Sequence, residues 1–245
     1  ALRSDVEQMS HMSGHNLQVY AGMIASLDRS IGKIIEKLKD LNIYGKTMII
    51  FTSDNGGANY IELEDINKPF RGWKISFFEG GIRVPFIVSW PDKISPGLTS
   101  NSAVHHFDIF PTIVSATKTT TSNKKELDGV NLLPYIKKEN SDEPHETLFW
   151  RSGNHQSVLH KKWKYIVSKK ENKSWLFDTS IDPLEKNNLI ESHPKEAQKI
   201  EELLVQFNSE QKEPLFPSAF EAPIMIDKYD GQAYEEGDEY IYWSN

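Results

Sequence analysis

The sequence predicts an α/β protein: an amphipathic helix and buried strands in the first part of the chain, then a small antiparallel sheet with a helix. Three observations carry this prediction. An amphipathic stretch over 17–41 leads into a short unbroken apolar run at 47–51, and helix followed by buried strand is half of a βαβ unit. A second run of the same kind, 86–90, follows after a long connection. Beyond 138–146, KENSDEPHE, the texture changes to short strand-like segments separated by turn residues, the spacing of a small antiparallel sheet.

Taken in order, residues 1–15 are polar and read as a loop. From 17 to 41 apolar residues recur every three or four positions, including Leu17, Met23, Ile24, Leu27, Ile31, Ile34 and Leu38, while Asp28, Arg29, Lys33, Glu36 and Lys37 mark the opposite face. Such a helix is expected to lie on a sheet with one side in water, and Gly45 closes it. The run 47–51, TMIIF, lacks alternation, as a parallel strand buried on both faces does. Residues 58–78 form a long connection rich in charge and aromatics, a length that usually marks a functional loop. The Gly80-Gly81 pair fixes the approach of Arg83 and of strand 86–90, and Arg83 is assigned to structure, pairing with Glu79 or another buried carboxylate. His105 and His106 read as solvated loop residues ahead of Asp108, which is expected to cap a helix over 109–117; 117–127 reads as an exposed loop.

After the linker 138–146, strands are expected at 147–151, 156–159, 163–167 and 175–177. A helix over 194–207 turns Ile200, Leu203, Leu204 and Phe207 inward. The tail 211–245 mixes prolines, acids and aromatics, too apolar to leave in water, and is expected to wrap the body in extended form. The chain therefore divides into 1–139, 140–210 and 211–245.

Composition narrows the function classes. A hydrophobic share of 38% and a charged share of 26% are those of an ordinary globular protein. The formal charge of −7 argues against nucleic acid as the main partner, yet leaves room for an anionic substrate in a locally positive cleft. There is no cysteine, hence no disulfide and no thiolate metal site. No apolar run approaches the roughly 20 residues that span a membrane, and the first residues lack the pattern of a secretory leader.

The chemistry concentrates in residues 45–91. Asp54, Asn55, Gly56 and Gly57 follow the first strand at its carboxyl end, where ligands sit in open α/β sheets. The Asp and Asn offer hard oxygen ligands and the glycines let the backbone turn away, so the implied metal is Ca²⁺ or Mg²⁺ rather than Zn²⁺. Alone, these four residues read as a strand-ending turn. Twenty residues on, Lys74 stands in a glycine-flanked loop; beside an oxygen-ligand metal site a lysine can hold an oxyanion and help a leaving oxygen depart, whereas alone it is a surface charge.

TSDNGG, then K-x-x-x-x-E-G-G-I-R-V-P beginning at Lys74, DIFPT at 108–112, DGVNLLPYI at 128–136, KKWKYI at 161–166 and LFDTSIDPLEKNNL at 176–189 together resemble the carboxyl-terminal half of a formylglycine-dependent sulfatase of the alkaline-phosphatase superfamily. The resemblance runs from about Tyr20 to Leu189. It implies hydrolysis of a sulfate ester, with Asp54 and Asn55 as metal ligands to a Ca²⁺, Asp54 also orienting or deprotonating the nucleophile, and Lys74 holding the sulfate and its bridging oxygen. It further implies the second half of a mixed sheet sandwiched by helices and a smaller carboxyl-terminal subdomain bordering the cleft, from which Arg151, Asn154 and His155 are offered as substrate contacts, and a periplasmic, secreted or lysosomal location.

The family's nucleophile motif is Cys or Ser, any residue, Pro, a small residue and Arg, its first residue oxidised to formylglycine. The nearest matches, Ser89-Trp90-Pro91-Asp92-Lys93 and Ser192-His193-Pro194-Lys195, lack the small residue and the arginine, and the family's early paired aspartates are not seen. The expectation is a piece of a sulfatase, inactive alone, whose partners are an amino-terminal half bearing formylglycine and a sulfated glycan or small molecule. Asn55, where related phosphatases tend to have histidine, favours sulfate chemistry, and the tail aromatics tilt the substrate toward a carbohydrate. Two other readings stand beside this one: a phosphonate or phosphodiester hydrolase on the same scaffold, and a non-catalytic binding module.

Overall fold

A computed structural model describes residues 1–120, 126–213, 215–216 and 218–244. Contacts divide the chain into two compact units, one of 1–37, 51–86 and 147 onward, the other of 38–50 and 87–146. The long helix is present as α2, His15–Asp40, and the two apolar runs form β1, Ile49–Thr52, and β2, Phe86–Ser89, which pair in a two-stranded sheet. Two expectations about these elements are corrected. Neither strand is buried on both faces, since Phe51 is 36% and Ile87 56% exposed; and the apolar face of α2 is open, with Met23, Ile24, Leu27 and Ile34 each about half exposed. In α2 the buried residue is Gly22. There a Cβ would stand 3.1 Å from the backbone of Asp5, in a short helix α1, Arg3–Gln8, where a loop was expected. What holds α1 is the buried Asp5 carboxylate accepting from Arg29 Nη2 at 2.8 Å, a pairing that lowers its pKa.

In the first unit the four strands after residue 146 form an antiparallel meander, β3 Thr147–Ser152, β4 His155–His160, β5 Trp163–Ser168 and β6 Lys173–Asp178, in sheet order β3-β4-β5-β6. The sheet has a core on each face, as period-two alternation requires. On one face Val158, Tyr165 and Leu176 pack against Ala197, Ile200 and Leu204 of α6, Pro194–Glu210, and Phe207 stacks on Phe149 at 4.3 Å. On the other, Ile166, Trp175 and Phe177 meet Phe78, Ile226 and Ile241. Ile226 and Ile241 belong to the tail, which does more than wrap in extended form: Glu221–Met225 (β7) and Tyr240–Ser244 (β8) pair as an antiparallel ribbon covering that face. Paired strands satisfy each other's backbone groups, which a lone extended segment buried against the body could not do.

In the second unit a 3-10 turn, His106–Asp108, leads into α4, Ile109–Thr117, and α5 spans Leu133–Ile136. Asp108 makes no side-chain cap to α4. Its fully buried carboxylate accepts instead from His105 N–H at 2.7 Å and Val130 N–H at 2.9 Å, and lies 2.8 Å from His145 Nε2. His105 is half-buried rather than solvated, its ring stacked on Phe107, and burial lowers its pKa. Of the loop expected over 117–127, residues 121–125 lie outside the described residues. Among the described residues no helix is long and apolar enough to cross a membrane.

Candidate active site

After β1 the chain turns through Asp54, Asn55, Gly56 and Gly57, and backbone hydrogen bonds stitch that turn to the lysine loop. Gly56 N–H donates to the Gly81 carbonyl at 2.9 Å and Lys74 N–H to the Gly57 carbonyl at 2.9 Å. Asn67 bridges both segments: its Oδ1 accepts from Gly57 N–H at 2.6 Å, and its Nδ2 donates to the carbonyls of Gly57 and Gly72 at 2.9 and 3.1 Å. A Cβ at Gly56 would fall 1.8 Å from the Gly80 carbonyl oxygen, so the approach admits only glycine there. Two motifs some twenty residues apart thus share one floor.

Lys74 occupies the second place of a tight turn closed by Ser76 N–H donating to the Trp73 carbonyl at 2.9 Å, with the Ser76 hydroxyl holding both polar groups of the Trp73 backbone. The third place is Ile75 at φ 76°, where such turns usually carry glycine; a β-branched residue there costs on the order of 1–3 kcal/mol. Lys74 Nζ donates to Tyr60 Oη at 3.4 Å and lies 5.9 Å from that ring's centroid. Among the described residues it pairs with no carboxylate, so its charge is uncommitted.

Asp54 is exposed and, among the described residues, in no ion pair; it accepts a long bond from Ser53 Oγ at 3.5 Å. Asn55 Nδ2 donates to the Gly56 carbonyl at 2.8 Å, leaving Oδ1 without a donor among the described residues. Two hard oxygens on adjacent residues suit part of a Ca²⁺ or Mg²⁺ shell. Among the described residues no group of three His, Cys, Asp or Glu is placed to hold a metal ion, so the fit is to a partial shell.

The lysine loop is anchored on the four-stranded sheet. Phe77 N–H donates to His155 Nε2 at 3.0 Å and the two rings stack at 4.7 Å. Phe78 is fully buried in the core with Ile166, Trp175 and Phe177. Glu79, which opens α3 (Glu79–Ile82), takes the fully buried Lys164 Nζ at 2.6 Å on Oε1, while Lys164 also meets Glu185 Oε1 at 2.7 Å and Glu185 Oε2 accepts from Glu79 N–H at 2.6 Å. One buried cation serves a buried acid, Glu185, and a half-buried one, Glu79, so their pKa values part. Burial works against ionisation in both; Lys164 prevails at Glu79 and lowers it, whereas Glu185 is raised. Arg83 pairs with Glu79 Oε2 at 3.3 Å, as expected, and lies over the Phe70 ring.

The expected substrate contacts lie elsewhere than in one turn. Arg151 is in β3 and donates to Asn208 Oδ1 and the Lys212 carbonyl. Asn154, in the turn, donates to Glu221 Oε1 at 3.0 Å. His155 begins β4 and is 1% exposed; burial drives its pKa down to about 3, and because Nε2 accepts from Phe77 the neutral ring carries its proton on Nδ1. The structure brings Asp54, Asn55 and Lys74 to one floor and places His155 beneath the lysine loop. Sequence reading passed over Tyr60, Arg71, Lys164 and Glu185. Lys164 left a signal: it shares a strand face with Ile166, and a lysine in register with a core isoleucine demands a buried acid.

The comparisons bear on this geometry. The sulfatase family model matches residues 3–119 and that of the carboxyl-terminal part of N-sulphoglucosamine sulphohydrolase matches 72–213. Human N-acetylgalactosamine-6-sulfatase is 38% identical over 48% of this chain and 23% of its own length. N-acetylgalactosamine-6-O-sulfatase of Bacteroides thetaiotaomicron is 29% identical over 74% of this chain and 40% of its own. The crystal structure of Ps i-CgsB matches with a TM-score of 0.79 at 26% identity, over 88% of this chain and 48% of that one. The chain thus spans less than half the length of these relatives. The two models overlap over 72–119, the first covering the Asp54 turn and the Lys74 loop and the second covering the Lys74 loop and the sheet over more than half of the chain, and the chain belongs to the sulfatase family.

Proposed function

We propose that the chain is the carboxyl-terminal part of a sulfatase that hydrolyses sulfate esters of carbohydrates. The observation that carries the reading is the uncommitted Lys74 ammonium, fixed by backbone bonds to the turn that presents Asp54 and Asn55. A divalent cation bound in part by Asp54 and Asn55 would neutralise sulfate oxygens, and a formylglycine nucleophile would come from an amino-terminal half. Lys74 donates to the sulfate and its bridging oxygen, easing departure of the alcohol. Asp54 would orient or deprotonate the nucleophile's hydroxyl. The open apolar face of α2, with Met23, Ile24, Leu27 and Ile34 exposed, supports docking of that half, since such a stripe is costly in water. The names of the relatives support the carbohydrate.

In the complete enzyme, Lys74→Ala lowers turnover of an aryl sulfate and of a sulfated monosaccharide at least ~100-fold; a near-normal rate removes Lys74 from the mechanism. The isolated chain gives no turnover, and measurable turnover by it refutes the divided site. Faster cleavage of an aryl phosphodiester than of the aryl sulfate would replace the sulfatase reading by a phosphodiesterase one.

A further inference from the structure

The tail ribbon carries a loop, residues 227–239, that neither family model reaches, and this loop holds both segments that flank the Lys74 ammonium. At its base Arg71, three residues before Lys74, grips both sides: Nε and Nη2 donate to Asp227 at 2.8 and 2.6 Å, and Nη2 also meets Glu239 Oε2. Ile226 N–H donates to the Glu239 carbonyl at 2.9 Å, closing the neck. Lys228 Nζ knits the loop internally through Asp238, Glu235 and the Ala233 carbonyl. Further along, Asp230 Oδ1 accepts from the buried Asn59 side chain at 2.6 Å, and Asp230 N–H donates to the Asn59 carbonyl at 3.3 Å. Asn59 opens the 3-10 turn Asn59–Ile61, so the residue it positions is Tyr60, the aromatic acceptor of Lys74.

We infer that the loop 227–239 is a positioning device for Lys74, with Asp230 acting through Asn59 on Tyr60 and Tyr60 acting on the lysine. A lysine side chain has four rotatable bonds and a strongly hydrated head. Left free it samples many places, whereas a weak acceptor at 3.4 Å keeps it near one and yields when an anionic oxygen offers a shorter, charge-assisted bond. Tyr60 suits that task because its phenol is neutral and its ring face attracts a cation; a carboxylate in its place would compete with the substrate. Tyr60 is 59% exposed, so its hold on Lys74 depends on the turn beneath it.

This inference rests on the sulfatase reading, and the experiment separates the two. Turnover of an aryl sulfate is measured for the full-length enzyme, wild type and Tyr60→Phe, Asp230→Ala, Asp230→Asn and the double variant Tyr60→Phe/Asp230→Ala, with thermal midpoints beside the kinetics. Tyr60→Phe and Asp230→Ala each lower kcat about fivefold, the worth of one modest hydrogen bond, with KM little changed. Asp230→Asn, which keeps an oxygen acceptor for Asn59, recovers most of the loss caused by Asp230→Ala. The double variant is no slower than the slower single one, because both changes sever one chain of contacts. Unchanged kcat in either single variant, additive losses in the double, or losses that merely follow a lowered thermal midpoint overturn the positioning role and leave the sulfatase reading intact. No turnover of any sulfate ester by the wild type overturns both.

Discussion

Replacing Lys164 by Met tests whether the anchor of the lysine loop is electrostatic. The wild-type ammonium is fully buried and lies 2.6 Å from Glu79 and 2.7 Å from Glu185. The methionine fills most of the volume but leaves the two acids with one remaining cation, Arg83 at 3.3 Å from Glu79. Breaking a buried pair by removing one partner costs about 3–5 kcal/mol. An independent bound agrees: the stranded carboxyl can always take a proton, and at pH 7 protonating an acid of ordinary pKa near 4.3 costs about 3.7 kcal/mol.

The variant's raised carboxyl then favours the folded state at low pH and ceases to do so as pH rises. The penalty should therefore shrink by about 1.4 kcal/mol for each unit of acidification between pH 7 and 5. Glu185→Gln supplies the contrast. Glu185 is the acid already raised, glutamine still accepts from Glu79 N–H, and Lys164 keeps one carboxylate, so the loss stays below about 1 kcal/mol. Urea denaturation of the full-length protein and both variants at pH 7 and 5.5 reads all of this. A Lys164→Met loss under about 1 kcal/mol, or a Glu185→Gln loss equal to it, would show that apolar packing of Phe78 holds the loop instead.

Two further outcomes follow from the same unit. His155 stays neutral when folded, with its pKa at about 3, while the unfolded ring protonates near 6.5; stability is present above 6.5 and is lost on acidification, by about 1.6 kcal/mol between pH 6.5 and 5. His155→Gln removes that share of the acid slope, and an unaltered slope in urea titrations would place the ring in water. Arg71→Lys gives up the two-pronged contact to Asp227 and the grip on Glu239, which lysine's single ammonium cannot reproduce. The tail should be cut by protease several-fold faster at about 1–2 kcal/mol lower local stability, and equal cleavage rates refute the clasp.

Local pattern made much of the protein legible. The three-or-four spacing between Leu17 and Leu41 marks α2 to within two residues of His15–Asp40, and the short segments between turn residues after 146 mark all four strands of the meander. The Arg83–Glu79 pair, four positions apart, was legible for the same reason: each of these features is written within a few neighbouring residues. Less legible were features whose partners lie far along the chain. Helix α1 is held by Asp5 on Arg29, and the tail became a ribbon because Ile226 and Ile241 find a sheet face. Asp108 gave up its cap for His105, Val130 and His145.

The sequence by itself determined the class of fold, the family and the presence of Asp54, Asn55 and Lys74 in motifs that the family resemblance covers. Only the tertiary structure decided what anchors the loop that carries Lys74. Phe77 on His155, Glu79 on Lys164 and Glu185, and Arg71 on Asp227 and Glu239 join residues between 78 and 168 positions apart. A buried charge or an unpaired backbone donor is costly until its partner arrives, and no local pattern names a partner that distant.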